Sequence, residues 1–246
     1  IYSIFMKSTL DIITITKDDI EGLLATIAST RKLRTCSGVR QIIVDSSTEL
    51  TAKEIKRLLA EEDCLDYFWQ EPSGISLAFN FGISNLNADW VWFLNGRDEV
   101  HPDLNANLLL QILDSSQAEV VMFELEFMQS RLRYPHPPIW TLWPPLYGNW
   151  VPHPATLLRA ELFEKYGTFN KEFKIAMDLD LWMRLFTKDI VIDMISIPII
   201  LFDQNGLSSD AAPARREEKK IITRYLGTLI KMWLARGLHL FRALTK

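Results

Sequence analysis

Two cysteines and four histidines in 246 residues leave little material for a disulfide framework or a metal cluster. Cys36 and Cys64 stand apart, with neither a Cys-x-x-Cys pair nor histidines at ligand spacing, which argues against zinc and for a reducing compartment. No stretch reaches 18 uninterrupted apolar residues, about the length of a bilayer-spanning helix. The N-terminus lacks the basic, apolar and small-residue order of a secretion signal, and Ile1 to Phe5, ahead of Met6, carry no functional weight. The expected location is therefore cytoplasmic. Internal repeats and low-complexity tracts are absent. Positive charge is scarce in the body of the chain: residues 1–214 hold eighteen Lys/Arg against twenty-nine Asp/Glu, a balance of −11 that excludes general affinity for nucleic acid.

What is present is enough apolar residue, 48%, for one large core, or one core with a small extension. Leu10 to Thr16 alternates and is rich in β-branched residues, as a strand requires. Asp18 or Asp19 then caps a helix patterned on Ile20, Leu23, Leu24 and Ile27. Gln41 to Val44 predicts a second strand, ending at Asp45, before a helix with Ile55, Leu58 and Leu59. A strand at Leu65 to Trp69, a helix through Ala78 to Ile83 and a strand at Trp90 to Leu94 follow. Pro102 and Asp103 are expected to open a helix carrying Leu108, Leu109, Ile112 and Leu113, before a strand over Glu119 to Leu125. Such alternation predicts an α/β domain whose sheet is mostly parallel, with helices on its faces. Ligands gather at the carboxyl ends of such strands, where Thr16, Asp45 and Asn95 to Glu99 fall.

The second half reads differently. Seven prolines between Pro135 and Pro154 lie among Trp140, Trp143, Tyr147 and Trp150, which predicts a rigid aromatic loop, either facing sugar rings or an isoprenoid tail or simply covering the sheet. Leu157 to Tyr166 reads as a short strand and helix and Asp178 to Phe186 as another helix. Ile190 to Leu201 reads as a β-rich segment interrupted at Pro198.

Two acidic clusters about eighty residues apart carry the chemistry: Asn95-Gly96-Arg97-Asp98-Glu99 after a strand, and Met177-Asp178-Leu179-Asp180 at the head of a helix. A carboxylate at a strand end can hold a divalent cation against phosphate, and one near a helix N-terminus can accept a proton. Together they point to metal-assisted transfer from a nucleotide-linked donor. Asp98 is the expected cation ligand, Glu99 a second ligand or the holder of its water, and Arg97 a phosphate contact. Asp45 can accept a hydrogen bond from a base or ribose, and the Thr16 hydroxyl can shape the same pocket. Gly74 would let the backbone approach a ligand where a β-carbon collides, and Asn80 could hold sugar or diphosphate or cap its helix. His153 stays open between a contact to donor phosphate or acceptor and an ordinary packed histidine.

Several ordered blocks share a pattern: Ile15-Thr16, Ile43-Val44-Asp45-Ser46-Ser47, Ser73 to Gly82, Phe93 to Asp98, His153 to Arg159, Phe163 to Phe169 and Phe173 to Trp182. In their order and spacing the chain, from about Leu10 to Ser209, resembles the inverting, nucleotide-sugar-dependent glycosyltransferases of family 2 with the GT-A fold. The likeness is to bacterial enzymes that build polysaccharide or lipid-linked glycans. The resemblance implies a Rossmann-like mixed sheet flanked by helices, a glycosyltransferase domain over residues 6–210, and Mn²⁺ or Mg²⁺ as cofactor. It also implies Asp178 as the catalytic base, with Thr16, Asp45, Gly74, Asn80, Asn95, Arg97 and His153 around the donor. Asn95 and Asp98 reproduce an asparagine placed three residues before the aspartate, where the family's metal motif more often shows two carboxylates. Leu77 and Phe81 stand where relatives commonly carry aspartate and lysine. Asn205-Gly206-Leu207-Ser208 resembles a glycine-serine segment near the donor site, with Gly206 read as a turn residue.

Residues 215–246 reverse the charge, with nine Lys/Arg and two Glu. Ile221, Ile222, Tyr225, Leu226, Leu229, Ile230, Trp233 and Leu234 recur at helical spacing among the cations, so residues 211–246 are expected to form a basic amphipathic helix. It can lie on the cytoplasmic face of an anionic membrane near a lipid-linked acceptor, or pack on its own domain or on a second copy of the chain. The leading function is metal-dependent inverting transfer of a sugar from a nucleotide diphosphate to a glycan or lipid-linked acceptor. The alternatives are a nucleotidyltransferase, against which the acidic Lys17-Asp18-Asp19 stands in place of a basic glycine-rich loop, and an inactive sugar-nucleotide binding or scaffold protein.

Overall fold

β-Branched runs become strands of one sheet, and segments repeating apolar residues every three or four positions become helices on its faces. The computed structural model describes residues 8–134, 151–203 and 211–244. In it β1 (Ser8–Thr16), α1 (Ile20–Arg34), β2 (Val39–Asp45), α2 (Glu49–Leu58), β3 (Leu65–Trp69), α3 (Ile75–Ser84) and β4 (Ala88–Asn95) alternate. Then come β5 (Glu99–Val100), α4 (Ala106–Ser115), β6 (Val120–Phe127) and β7 (Arg133–Tyr134). A 3₁₀ turn at His153–Ala155 leads into β8 (Thr156–Arg159), followed by α5 (Glu161–Tyr166), α6 (Met177–Phe186), β9 (Ile192–Phe202) and α7 (Ala211–Leu244).

The strands join in the order β3-β2-β1-β4-β8-β6-β9-β5, with β7 added to β6. The first four run parallel, β8 pairs antiparallel with both β4 and β6, and β9 returns parallel to β6. The mixed sheet expected from the family resemblance is the one observed. Helices cover both faces, so β1, β2, β4 and β6 are buried nearly throughout. Ile13, Val44, Phe93 and Met122 face α3, α5, α6 and Ile221 of α7. Ile12, Trp92, Phe123 and Ile200 face Leu109 and Leu113 of α4.

Two local expectations change. Helix α4 does not open at Pro102; Asn105 caps it, its side chain accepting from the Leu108 N–H at 3.2 Å. β9 is not interrupted at Pro198. It runs through, and its register against β6 shifts around the Glu124–Pro198 pair, the kind of irregularity at which a residue without an N–H is accommodated. The basic tail forms a helix over Ala211–Leu244, and its first half packs on the domain, with Ile221 fully buried in the core. The aromatic loop with Trp140, Trp143, Tyr147 and Trp150, and the Asn205 to Ser208 segment, lie outside the described residues.

Candidate functional site

Parallel pairing brings four strand ends side by side. Thr16 is registered with Asp45, Ile15 with Asn95 and Asp45 with Trp69, so the residues expected at the carboxyl edge form one row. β4 leaves the sheet through a tight turn in which the Asp98 carboxylate accepts from the Asn95 backbone N–H at 3.0 Å and from its side-chain amide at 3.2 Å. Asn95 is thus the residue that orients Asp98. Arg97 takes a left-handed φ of 82° at this turn, and its N–H donates to the Gly22 carbonyl at 3.1 Å.

Asp98 is 2% exposed. Burial pushes its carboxyl up to about 7, against the pull of the two Asn95 donors, and the negative charge of Asp203 adds to the rise. Asp203 follows β9 directly, and its backbone N–H also donates to Asp98. Sequence reasoning missed it, although an acid closing the apolar run Ile199–Phe202 repeats the strand-end logic applied to Asp98. Glu99, by contrast, opens β5 opposite Leu201, and extended backbone sends the side chains of successive residues to opposite sides. The acid whose charge acts on Asp98 is Asp203. Among the described residues no group of three His, Cys, Asp or Glu is arranged to hold a metal. The Asp98 carboxyl, with the charge of Asp203 acting on it and Asp203 Oδ1 accepting from the Gln129 amide at 2.8 Å, offers oxygen ligands of the type Mg²⁺ or Mn²⁺ takes when water and substrate phosphate complete the coordination.

Arg97 has a protein partner. Its guanidinium grips Asp19 through Nε–H to Oδ2 at 2.6 Å and Nη2–H to Oδ1 at 3.1 Å, while Asp19 caps α1 by accepting from the Gly22 N–H at 3.0 Å. Of the two acids expected to cap α1, Asp19 does so; Asp18 accepts instead from the Thr48 N–H at 2.8 Å. Gly22 is needed here for closeness, because a Cβ would stand 2.3 Å from Asp19 Oδ2 and 2.4 Å from Arg97 Cγ. The pair ties the α1 N-terminus to the Asp98 turn and leaves the guanidinium partly exposed at its rim.

Asp45 is fully buried, accepting from the Ser47 N–H at 2.8 Å and the Tyr67 hydroxyl at 2.7 Å. Burial and this carboxylate raise the Tyr67 pKa. Asp45 is thus held by bonds within the protein at the carboxyl edge of β2. Thr16 is buried beside it, donating to the Asp19 carbonyl at 3.4 Å. The open group at this edge is Trp69, 46% exposed, with its indole N–H pinned to the Ser47 carbonyl at 2.9 Å. A tryptophan closing an edge strand was the signal for it.

Gly74, Asn80 and His153 also take structural roles. Gly74 precedes α3 at φ 98°, and a Cβ there would meet no protein atom within 4 Å, so conformation and not crowding asks for glycine. The Asn80 amide is engaged by the Phe169 backbone, donating to its carbonyl at 2.8 Å and accepting from its N–H at 2.9 Å. His153 stacks on Phe93 with ring centroids 5.5 Å apart and meets Phe79, Phe169 and Trp182 edge-on. Burial pushes its pKa down to about 4, so it packs as a neutral histidine among these rings. A histidine lowered in this way stabilises the fold fully above its unfolded value of about 6.5 and loses that contribution as pH falls through about 4. His153→Phe is accordingly expected to melt less acid-sensitively than the parent across that window, with unchanged donor KM at neutral pH; a raised KM would restore a binding role.

Asp178 stands half-buried in the first turn of α6, accepting from the Leu179 N–H at 2.8 Å. The preceding segment is strapped to α3, which begins just after β3 leaves the sheet: Ser76 donates to the Phe173 carbonyl at 2.5 Å, and Asn80 holds Phe169. Both straps tie the segment before α6 to α3. Asp180 is buried, and burial raises its carboxyl while Arg184 and Arg224, 3.5 and 3.6 Å away, draw it back.

Comparison with known proteins agrees with this architecture. Residues 11–193 match the family model described as glycosyl transferase family 2. An uncharacterized glycosyltransferase of Mycobacterium tuberculosis H37Rv is 27% identical over 212 residues, covering 84% of this chain and 79% of that protein. One from Rickettsia conorii is 24% identical over 200 residues, covering 76% of this chain and 32% of its own. The crystal structure of S. aureus TarS 1-349 in complex with UDP-GlcNAc superposes with a TM-score of 0.70 at 15% identity, over 89% of this chain and 66% of that one. This chain spans 43% of the longer TarS chain, superposing with a TM-score of 0.64. The family match covers most of the sheet, both acidic turns and the helix that bears Asp178, and on it the chain belongs to glycosyl transferase family 2.

Proposed function

We propose that this glycosyltransferase moves a sugar from a nucleoside diphosphate donor to a hydroxyl of a glycan or lipid-linked acceptor, with inversion, and depends on Mn²⁺ or Mg²⁺. The observation that carries the reading is the buried Asp98 carboxyl just after β4, with the negative charge of Asp203 acting on it from the end of β9. A structural neighbour that binds UDP-GlcNAc supports the donor class. Asp98 and Asp203 would hold the cation, which supplies positive charge for the diphosphate as it leaves.

The chain's own groups account for the remaining steps. Asp178 accepts the acceptor hydroxyl's proton as that oxygen bonds to the anomeric carbon. The carbon–oxygen bond to diphosphate breaks, its electron pair leaving with the phosphate. A single displacement from the face opposite the leaving group inverts the carbon. Arg97 adds positive charge at the rim, and Trp69 offers a flat face beside the strand ends of Asp45 and Thr16. The turn after β1 is acidic, with the Asp18 and Asp19 side chains committed to the backbone, so it does not form the basic phosphate cradle of a nucleotidyltransferase. Incubation with UDP-GlcNAc and Mn²⁺ is expected to release UDP in a manner abolished by EDTA; release that ignores EDTA would refute the metal dependence.

The outer half of α7 is the proposed membrane contact. No described helix is long and apolar enough to cross a bilayer. Beyond the docked part, Leu226 and Ile230 are 38% and 49% exposed, and residues 226–246 hold four Lys/Arg and no acid. Deleting residues 215–246 would also remove Ile221 from the core, so the informative truncation ends at Tyr225. It is expected to abolish binding to phosphatidylserine vesicles while leaving the melting temperature near that of the full chain. Unchanged binding would reject the membrane contact, and a dimer lost on truncation would assign the surface to a second copy.

A further inference from the structure

We propose that Glu217, on α7, is a positioning residue for the base: its carboxylate gathers the backbone N–H groups leading into α6 and so sets where Asp178 points. This inference rests on the reading of Asp178 as the base. One carboxylate oxygen of Glu217 accepts from the N–H groups of Lys174, Ile175 and Ala176 at 3.1, 2.9 and 2.9 Å, and the other accepts from Lys174 at 3.0 Å. Helix starts are usually satisfied by a Ser, Thr, Asp or Asn at the N-cap. Here the N-cap is Ala176, which has no oxygen to offer, and the task falls to a carboxylate 41 residues further along the chain. Burial raises the Glu217 carboxyl, but the backbone donors outweigh it and the net shift is downward, so the group is charged at neutral pH and also complements the α6 dipole.

The rest of the same α7 face grips both sides of this contact. Upstream, Glu172 pairs with Lys220 and with Arg224 at 2.6 Å, and the Arg224 guanidinium lies 5.1 Å from the Phe173 ring centre. Downstream, the Tyr225 hydroxyl donates to Asp180 at 3.3 Å. Glu217, Lys220, Arg224 and Tyr225 recur at helical spacing around the buried Ile221, so one stripe of α7 clamps residues 172 to 180. Asp178 lies inside that clamp. Proton transfer demands hydrogen-bond reach, and a displacement of about 1 Å costs on the order of 10²-fold in rate.

The test compares Glu217→Ala, Glu217→Asp and Glu217→Gln in the full chain, with UDP-GlcNAc as donor probe and amide hydrogen exchange as the second readout. Aspartate keeps the charge but loses a methylene of reach; glutamine keeps the reach and one acceptor oxygen. E217A and E217D are expected to lower kcat by about 10- to 100-fold with donor KM unchanged and to speed exchange at residues 174–176, while E217Q recovers most of both. Wild-type kcat in E217D, or unchanged exchange in it, overturns the proposal. Equal losses in the Asp and Gln variants with a matching loss of folded protein also overturn it, because they would mark a purely structural contact. Should E217A fail to fold, the Asp–Gln pair decides. Wild-type turnover in Asp178→Asn would defeat the base assignment instead, and the exchange data would still report whether Glu217 holds the segment.

Discussion

Asp178→Asn is expected to lower sugar transfer by about 10³-fold while leaving nucleotide affinity unchanged, as loss of a positioned general base does. The substitution keeps size and polarity, and an amide oxygen can still accept from the Leu179 N–H that the carboxylate holds at 2.8 Å. The straps from Ser76 and Glu217 act on residues 173 to 176 and are untouched, so the fold around the site persists. What disappears is the capacity to take up a proton as the acceptor oxygen attacks. Turnover is read by UDP release in the presence of acceptor, and affinity by titration calorimetry with UDP. Equal turnover in the two proteins would remove Asp178 from the mechanism, whereas joint loss of turnover and UDP binding would mark it as structural.

Asp98→Asn is expected to cut turnover by about 10²- to 10³-fold and to abolish thermal stabilisation by Mn²⁺. Asp98 pays for its burial with a carboxyl raised to about 7. A carboxyl raised in the folded state stabilises the fold while protonated, at pH values below its unfolded range, and that contribution is lost as pH rises through about 7. A divalent cation reverses the loss by favouring the ionised form, so binding releases a proton and strengthens as pH rises. The Mn²⁺-induced rise in melting temperature should therefore grow between about pH 6 and 8 in the parent and vanish in D98N. Asp203→Asn should weaken the same response. An equal Mn²⁺ response in D98N and the parent would place any metal elsewhere.

The expected elements were legible where one physical rule governs each of them. β-Branched alternation marked β1, short apolar-rich segments marked β3, β4 and β6, and helical spacing marked α2 and α6. Where two residues competed for one task, the pattern was ambiguous. Asp18 and Asp19 looked alike as caps, and only the turn geometry gave the cap to Asp19. Pro102 looked like a helix start, but Asn105 has the oxygen that reaches an N–H inside the helix.

The site was legible in part for a similar reason. A motif names residues without saying what else touches them. Asn80 and His153 sit at family positions, yet one is spent on the Phe169 backbone and the other is sealed among aromatic rings. Asp203 and Glu217 carry no motif at all, because their partners lie on other elements: the Asp98 turn for one, the backbone before α6 for the other.

Periodicity and strand-end chemistry, which act over a few neighbouring positions, were sufficient to set the α/β class and the element order and to single out the two acids proposed for the chemistry. Which distant acid acts on Asp98, whether a polar family residue is free or already bonded, and whether a basic tail completes the domain were settled only by the folded chain. Each depends on atoms far apart in sequence, and hydrogen bonds and charge pairs fall off within a few ångströms, so no linear pattern records them.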